Sequence, residues 1–470
     1  MKNMKAYKFR LLVFFMFAGA LVNCQIASAQ VNQQKIPDKT RILFLLDASG
    51  SMLAKWENTT RIVVAKKLLS DMVDSLKSIP NVDVALRVYG HQSPARVKNC
   101  QDSKLEVPFS TGNHEAIKKR LASIAPQGNT PIAYSIEKAA DDFPKDGQAR
   151  NVIIIITDGL ESCDGDPCAV SMVLQRNGIF LKPFILGIGM DQKFEDQFQC
   201  VGDFFDASNI RDFKASLYQI VNKSLLRATV SVELLDINDQ PKETDVNITF
   251  INNFTRQATY EFVHYRDARG RPDTVEVDPV LTYDIVVNTI PPVYRNNVEI
   301  EGGKHNVIKI KSPQGFLRLT QKGLSEYPKG VKVLIRRSGS SEIIHVIDVQ
   351  ELAKLLVGNY DIEALTLPRV IHKGVPIKQS ETTAIPLSAP GIVNIVASSP
   401  GIGSIYALKK DGSQEWVYNM DPNITRATIT MQPGNYKIVF RSGNSLASKF
   451  TQIKNFTVES GSTANIRFSF

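Results

Sequence analysis

The sequence predicts an α/β domain built on a doubly wound, mostly parallel sheet, followed by three small all-β sandwich modules. Three observations carry this expectation. Ile42–Leu46 and Val152–Ile156 are unbroken apolar runs of strand length, the pattern of strands buried on both faces of a parallel sheet. Between residues 41 and 225 strand-like and helix-like segments alternate, which implies right-handed crossovers. Beyond about residue 227 helical periodicity nearly vanishes, and a tyrosine-centred strand motif (Tyr283, Tyr360, Tyr436) returns at intervals of 77 and 76 residues.

At 470 residues the chain has room for roughly three to four domains. Residues 1–29 have the three parts of a secretory signal peptide. A basic segment from Lys2 to Arg10 precedes an apolar stretch, Leu11–Val22, and Ala27-Ser28-Ala29 fits a small-x-small cleavage site. The apolar stretch is short for a membrane span, and no later stretch is suited to crossing a bilayer. Lipid attachment at Cys24 is the weaker reading, because Asn23 stands where a small residue is usual. The expected location is outside the cytoplasm: periplasmic, cell-surface or secreted. Residues 30–40 form a lead into the first strand.

In the α/β domain, residues 41–226, strands are expected at Arg41–Leu46, Val82–Tyr89, Leu105–Phe109, Val152–Thr157, Phe180–Gly187 and Asp203–Asp206. Arg61–Leu76 places Ile62, Ala65, Leu69, Met72, Val73 and Leu76 along one helical face. Further helices are expected at Glu115–Ile124, Pro131–Asp142, Pro167–Asn177, Lys193–Cys200 and Arg211–Leu225. No helical pattern separates Tyr89 from Leu105, so those two strands should form an antiparallel edge hairpin.

The tyrosine motif is part of a longer repeat. Gln314-Gly315-Phe316-Leu317 and Pro390-Gly391-Ile392-Val393 stand 76 residues apart, and each tyrosine strand leads to a second one, at Val298, Val375 and Phe456. A period near 76 is too long for a solenoid unit and suits a small immunoglobulin-like sandwich. The modules are expected at 227–313, 314–389 and 390–470, with Val349–Leu356 (VQELAKLL) as a short helix inside the second. The three tyrosines are read as core packing rather than carbohydrate recognition. No Gly/Ser-rich linker separates Leu226 from Thr229-Val230-Ser231-Val232, which predicts a stiff rod rather than tethered beads.

Composition excludes little by itself, but charge does. Four of the basic residues behind the net +9 lie in the leader, and without them +5 remains, too mild and too scattered for nucleic acid. Catalytic motifs fail one by one. His114-Glu115 begins a zinc-protease pattern but Lys118 stands where the second histidine must be. Gly401-x-Gly403 lacks the last glycine of a dinucleotide loop, and no phosphate loop is present. Ser49 and Ser51 have no evident His and Asp partners for nucleophilic work. Enzymatic activity is not expected.

A different chemistry is written at the end of the first strand. Asp47-Ala48-Ser49-Gly50-Ser51 places one carboxylate and two hydroxyls outside its carboxyl end, where open α/β sheets bind ligands. Oxygen-only donors suit a hard divalent cation. Thr130, in the turn Gly128-Asn129-Thr130-Pro131, can add a hydroxyl, and Asp158 follows the second doubly buried strand. If the two strands are neighbours, Asp47 and Asp158 come close and repel unless a cation sits between them.

These three segments together resemble the von Willebrand factor type A (VWA) domain, over residues 41–225. The resemblance implies a Rossmann-like sheet and a complete metal-ion-dependent adhesion site. In it Ser49, Ser51 and Thr130 correspond to direct hydroxyl ligands, and Asp47 and Asp158 to carboxylates ligating directly or through water. The implied ion is Mg²⁺, with Mn²⁺ or Ca²⁺ as alternatives, and the implied partner is a protein whose acidic side chain fills the open position. Cys100 and the segment Cys163–Cys168 look like additions found in some exported bacterial members.

Weaker signals complete the reading. His91, just after the second strand, is a candidate partner contact, with a plain polar turn residue the commoner explanation. Trp56 is either a partner anchor or, by the usual burial of tryptophan, a residue packing the first helix. Signal removal leaves Cys100, Cys163, Cys168 and Cys200, an even number that suggests two disulfides in an exported chain. Pairing Cys100 with Cys163 and Cys168 with Cys200 needs the shortest reaches, and a local Cys163–Cys168 bond is the rival. The expected function is an exported metal-dependent protein-binding module on a β-sandwich rod. The alternative is a metal-indifferent structural subunit of a cell-envelope assembly.

Overall fold

The computed structural model describes residues 37–470 apart from 177–183, 189–197, 199, 324–326, 328–329, 446 and 470. The leader with Cys24, most of the expected helix Lys193–Cys200 and the start of the expected strand Phe180–Gly187 lie outside the described residues.

The α/β domain runs β1 (Lys39–Asp47), a small hairpin of β2 (Lys55–Trp56) and β3 (Thr59–Thr60), then α1 (Arg61–Leu76), β4 (Val82–Tyr89) and β5 (Ser103–Ser110). It continues with α2 (His114–Ser123), α3 (Ile132–Asp142), β6 (Ala149–Thr157), α4 (Pro167–Arg176), β7 (Phe184–Ile188), β8 (Asp203–Ala207) and α5 (Ile210–Leu225). Among the described residues the main sheet has the order β5-β4-β1-β6-β7-β8. All its pairings are parallel except β4 with β5, the antiparallel hairpin at the edge.

The apolar run of β1 explains its central place. Successive side chains of a strand point to opposite faces. Ile42, Phe44 and Leu46 pack with Leu69 of α1 and Phe213 of α5, whereas Leu43 and Leu45 pack with Ile132 and Ile136 of α3. All five are fully buried, and each such burial stabilises by about 1.5–3 kcal/mol. The equally apolar β6 lies beside β1 with Leu46 opposite Ile156. The residues that follow, Asp47 and Thr157-Asp158, therefore leave the sheet side by side at its carboxyl end.

The all-β region contains β9 (Ala228–Leu235), β10 (Asn247–Asn252), β11 (Ala258–Val263), β12 (Val275–Val277), β13 (Thr282–Val287), β14 (Val293–Glu299) and β15 (His305–Lys311). Next come β16 (Gln314–Lys322), β17 (Lys332–Arg337), β18 (Ile343–Asp348), β19 (Leu352–Leu356), β20 (Gly358–Ala364), β21 (Val370–Ile377) and β22 (Thr382–Ser388). The last are β23 (Gly391–Ala397), β24 (Gly401–Leu408), β25 (Gln414–Asn419), β26 (Arg426–Met431), β27 (Gly434–Ser442), β28 (Gln452–Val458) and β29 (Thr463–Phe468). Among the described residues each set of seven divides into a three-stranded and a four-stranded sheet in one recurring order: β12-β9-β15 with β11-β10-β13-β14, then β19-β16-β22 with β18-β17-β20-β21, then β26-β23-β29 with β25-β24-β27-β28. A separate apolar core fills each set.

The sequence repeat has a structural counterpart. Tyr283 pairs with Val298, Tyr360 with Val375 and Tyr436 with Phe456. All three tyrosine rings are buried. Their hydroxyls donate to backbone carbonyls just upstream, at Asp278 (2.8 Å), Leu356 (2.7 Å) and Gln432 (2.7 Å). A tyrosine that closes such a corner satisfies its polar tip while filling the core.

One expectation is overturned. Val349–Leu356 is not a helix: Leu352–Leu356 is β19, antiparallel to β16. Glu, Ala, Lys and Leu are good helix formers, but Ala353 and Leu355 alternate into the core, and pairing across the sheet overrides local preference.

The junction after the α/β domain is short and polar at its centre. Arg150 of β6 clamps the Asp278 carboxylate through Nε (2.9 Å) and Nη2 (2.7 Å), and its Nη1 donates to the Leu226 carbonyl (3.2 Å). Gly302 and Gly303 lie against the Leu226 side chain.

Candidate metal centre

Three segments converge at the carboxyl end of β1 and β6. Asp47 ends β1 and is fully buried. Its Oδ1 accepts the Ser49 backbone N–H (2.8 Å) and its Oδ2 the Thr157 hydroxyl (2.8 Å), so both oxygens are aimed by neighbouring groups. Beyond Ser49 the chain makes a tight turn over Gly50–Leu53. The Ser51 hydroxyl donates to Asp158 Oδ1 (2.7 Å). Ser49 and Ser51 hydroxyls lie 2.9 Å apart. Ser51 donates its one proton to Asp158, and the Ser49 hydroxyl lies within reach of both Ser51 and the Asp47 carboxylate.

Thr130 arrives on a loop that pairs with the Ser49 turn: the Gly50 N–H donates to the Gly128 carbonyl (2.9 Å). The Thr130 N–H in turn donates to the Ser162 hydroxyl (2.8 Å), and the Ser162 N–H to the Thr130 carbonyl (3.1 Å). A methyl group placed on Gly159 would stand 3.6 Å from Ser51 Oγ and 3.9 Å from Thr130 Oγ1. The hydroxyls of Ser51 and Thr130 thus share one small space above Gly159. The structure brings Asp47, Ser49, Ser51, Thr130 and Asp158 together in one place.

Charge in this space is strained. Burial first, and the nearby Asp158 carboxylate second, push the Asp47 carboxyl up to about 6. The Asp158 carboxylate is completely shielded and meets the Arg61 guanidinium, with Nη1 2.7 Å from Oδ2. Among the described residues no group of three or more His, Cys, Asp or Glu side chains is placed to hold a metal. A cation here would therefore rely on hydroxyls and the two carboxylates. That donor set fits a hard divalent ion such as Mg²⁺ and suits a soft one poorly.

The supporting loops contain residues that pattern reading passed over. Gly90 (φ +69°) ends β4 in a left-handed turn, and its N–H donates to the Asp102 carbonyl (3.0 Å). The Asp102 carboxylate accepts the backbone N–H groups of Gln92 and Ser93, pinning that loop beneath Gly128. Glu161 accepts from the Ala133 N–H (2.7 Å) at the start of α3. A glycine directly after a doubly buried strand is the one signal that the sequence offered for any of these; Asp102 and Glu161 stand in no motif.

His91 does not face outward. Its ring is only 5% exposed and its Nε2 lies 2.8 Å from Glu106 Oε1, so a partner would meet the loop rather than the imidazole. Trp56 is buried and packs edge-on to Phe213 of α5 at 6.3 Å. Disulfides join Cys100 to Cys163 and Cys168 to Cys200; the first ties the loop after Asp158 to the loop that carries Asp102.

Glu106, the partner of His91, gives the domain an acid-sensitive brace. Burial raises its carboxyl, but hydrogen bonds from Arg120 and His91 outweigh that and hold it down at about 2. A carboxyl depressed in the folded state stabilises fully above its ordinary value of 4.5, and the contribution disappears as pH falls toward 2. Glu106→Gln is therefore expected to flatten the loss of stability between those two values, as measured by urea midpoints along a pH series.

Residues 42–161 match the von Willebrand factor type A domain family. Two uncharacterized Bacillus subtilis (strain 168) proteins are similar to the same part of the chain. YwmC is 26% identical over 195 residues, 39% of this chain and 84% of its own length. YwmD is 28% identical over 204 residues, 41% of this chain and 90% of its own length. Among solved structures, the conserved hypothetical protein BatB from Bacteroides thetaiotaomicron is 23% identical, covering 39% of this chain and 98% of its own, with a TM-score of 0.32. The pilus adhesin SpaC from Lactobacillus rhamnosus GG spans 93% of this chain and 88% of its own at 9% identity and a TM-score of 0.35. By that match to the family, residues 42–161 are a von Willebrand factor type A domain.

Proposed function

We propose that the chain is an exported, non-catalytic, metal-dependent protein-binding module: a VWA domain (41–226) with a metal-ion-dependent adhesion site, carried on three sandwich modules (227–313, 314–389 and 390–470). The observation that carries the reading is the convergence of Asp47, Ser49, Ser51, Thr130 and Asp158 from three separate segments. These five residues would hold a divalent ion, Mg²⁺ before Mn²⁺ or Ca²⁺, and the ion supplies Lewis-acid attraction for a carboxylate of the partner protein. The chain's own groups at the centre, two carboxylates and one guanidinium, carry a formal charge of about −1 when all are ionised. A dication reverses that sign, which favours an acidic partner group.

The remaining residues hold the loops. Thr157 and the Ser49 N–H orient Asp47, Ser162 positions Thr130, and the two disulfides fasten the surrounding segments. Two disulfides, together with the leader-like residues 1–29, support location in the envelope or outside the cell. Among the described residues no helix is long and apolar enough to cross a membrane.

The test compares wild type with Asp47→Ala and Asp158→Ala. Saturating Mg²⁺ should raise the thermal midpoint of wild type, since an ion at a hundred times its Kd stabilises by about 2.7 kcal/mol. It should leave both variants unmoved. Crosslinking in the native envelope should capture a partner with wild type, and lose it with EDTA or with Asp158→Ala. Equal capture in all three conditions would replace this reading by a metal-indifferent structural subunit of an envelope assembly.

A further inference from the structure

We infer that Arg61 is a built-in counter-ion that competes with the metal for Asp158: it holds the centre together when no ion is bound, and it weakens the ion's binding. The inference rests on the metal-site reading above and concerns a residue outside the five donors.

Two observations carry it. The first is contact. Arg61 Nη1 lies 2.7 Å from Asp158 Oδ2, while Ser51 holds the other oxygen, Oδ1. Asp158 has no exposed side-chain surface and Arg61 retains 21%, so the guanidinium covers the carboxylate from the solvent side. An ion that takes up Asp158 must share it with a positive charge already seated there.

The second is position. Arg61 is the first residue of α1, where the helix dipole disfavours a cation, and no acidic residue occupies that first turn. Helix stability therefore gives no reason for an arginine here. The chain instead delivers it. Between the metal loop and α1 lies the β2–β3 hairpin, fixed by buried Trp56, and the Arg61 N–H closes the segment by donating to the Ala54 carbonyl (3.1 Å). An arginine so placed neutralises one of two carboxylates that otherwise face each other across a buried space.

Opposite effects follow in the two states. Without metal, loss of the guanidinium leaves Asp158 buried beside Asp47 with less compensation, and stability falls. With metal, loss of a positive charge a few ångströms from a dication removes a repulsion and tightens binding. A merely structural arginine would instead lower stability by the same amount in both states.

The experiment titrates the full-length protein with Mg²⁺ and Mn²⁺ by calorimetry and records thermal midpoints with and without the ion. It uses wild type, Arg61→Gln and Arg61→Lys. Arg61→Gln is expected to bind either ion at least about tenfold more tightly than wild type. Its midpoint should be several degrees lower without metal and close to wild type at saturation. Arg61→Lys keeps the charge and should bind the ion as wild type does. If Arg61→Gln does not fold without metal, it can be refolded in saturating Mn²⁺ and its affinity read from competition with a chelator. Equal or weaker binding by Arg61→Gln, with wild type binding normally, overturns the counter-ion role and leaves the metal site standing. Absence of binding by wild type overturns the metal site itself, and this inference with it.

Discussion

Replacing Arg150 with alanine is expected to destabilise the protein by about 3–5 kcal/mol, the cost of breaking a buried ion pair by removing one partner. The side chains of Arg150 and Asp278 are 4% and 6% exposed. The guanidinium satisfies both carboxylate oxygens of Asp278 and the carbonyl of Leu226 at once. Alanine would leave a buried carboxylate without its counter-charge. Arg150→Met combined with Asp278→Leu removes both charges and should recover most of the loss, since well-packed apolar replacements of such pairs are often neutral. Urea unfolding of the four proteins in a double-mutant cycle measures the coupling. A loss below about 1 kcal/mol for Arg150→Ala would mean that water reaches the junction and that the pair acts as a surface bridge.

The placement of that pair bears on the proposed binding role. Arg150 lies near the start of β6, and Asp158 follows its end. One central strand therefore connects the candidate metal centre to the first sandwich. Arg150→Ala should weaken this connection while leaving Mg²⁺ affinity unchanged, because the clamp touches none of the five donors.

What could be read from the sequence was whatever a short window contains. The helix Arg61–Leu76 and the strand Val82–Tyr89 have the same bounds in structure and expectation, because burial writes a 3.6-residue or continuous apolar pattern directly onto the chain. The antiparallel β4–β5 edge was legible from a missing helix, and the sandwich strands from a repeat. Of the five candidate donors, Asp47, Ser49, Ser51 and Asp158 were legible because β1 and β6 are apolar enough to set the residues after them at one end of the sheet; Thr130 comes from the loop that leads into α3.

What stayed hidden depends on distant partners. Leu352–Leu356 is helical by composition and a strand by pairing with β16. His91 reads as an exposed loop residue until Glu106, on the next strand, is seen to take its ring inward. Arg61 is an ordinary helical residue until Asp158, far along the chain, accepts its charge. The Arg150–Asp278 clamp spans two domains, and neither residue belongs to a motif.

Gly90→Ala is the substitution expected to damage the candidate centre most without touching a donor oxygen. At φ +69° the position already favours glycine. The larger effect is crowding. A Cβ there would stand 2.5 Å from the Asn129 carbonyl oxygen, 2.8 Å from the Ser49 nitrogen and 2.9 Å from the Ser49 Cα. All three are backbone atoms and cannot swing aside as a side chain can. Relief requires the Ser49 turn and the Asn129-Thr130 loop to part, and the bond from the Gly128 N–H to the Gly90 carbonyl (2.8 Å) resists this. Gly112 supplies the control: its φ is +76°, but a Cβ there would meet nothing within 4 Å. Gly112→Ala should cost about 1 kcal/mol for backbone conformation alone. Gly90→Ala should cost about 1–3 kcal/mol more through overpacking. Its Mg²⁺ affinity should fall at least about tenfold, which corresponds to about 1.4 kcal/mol of displaced donors. Calorimetric titration of both variants separates strain from convergence. If Gly90→Ala bound Mg²⁺ as Gly112→Ala does, the close approach of these backbones would not be what sets Ser49 and Thr130 against a common ion.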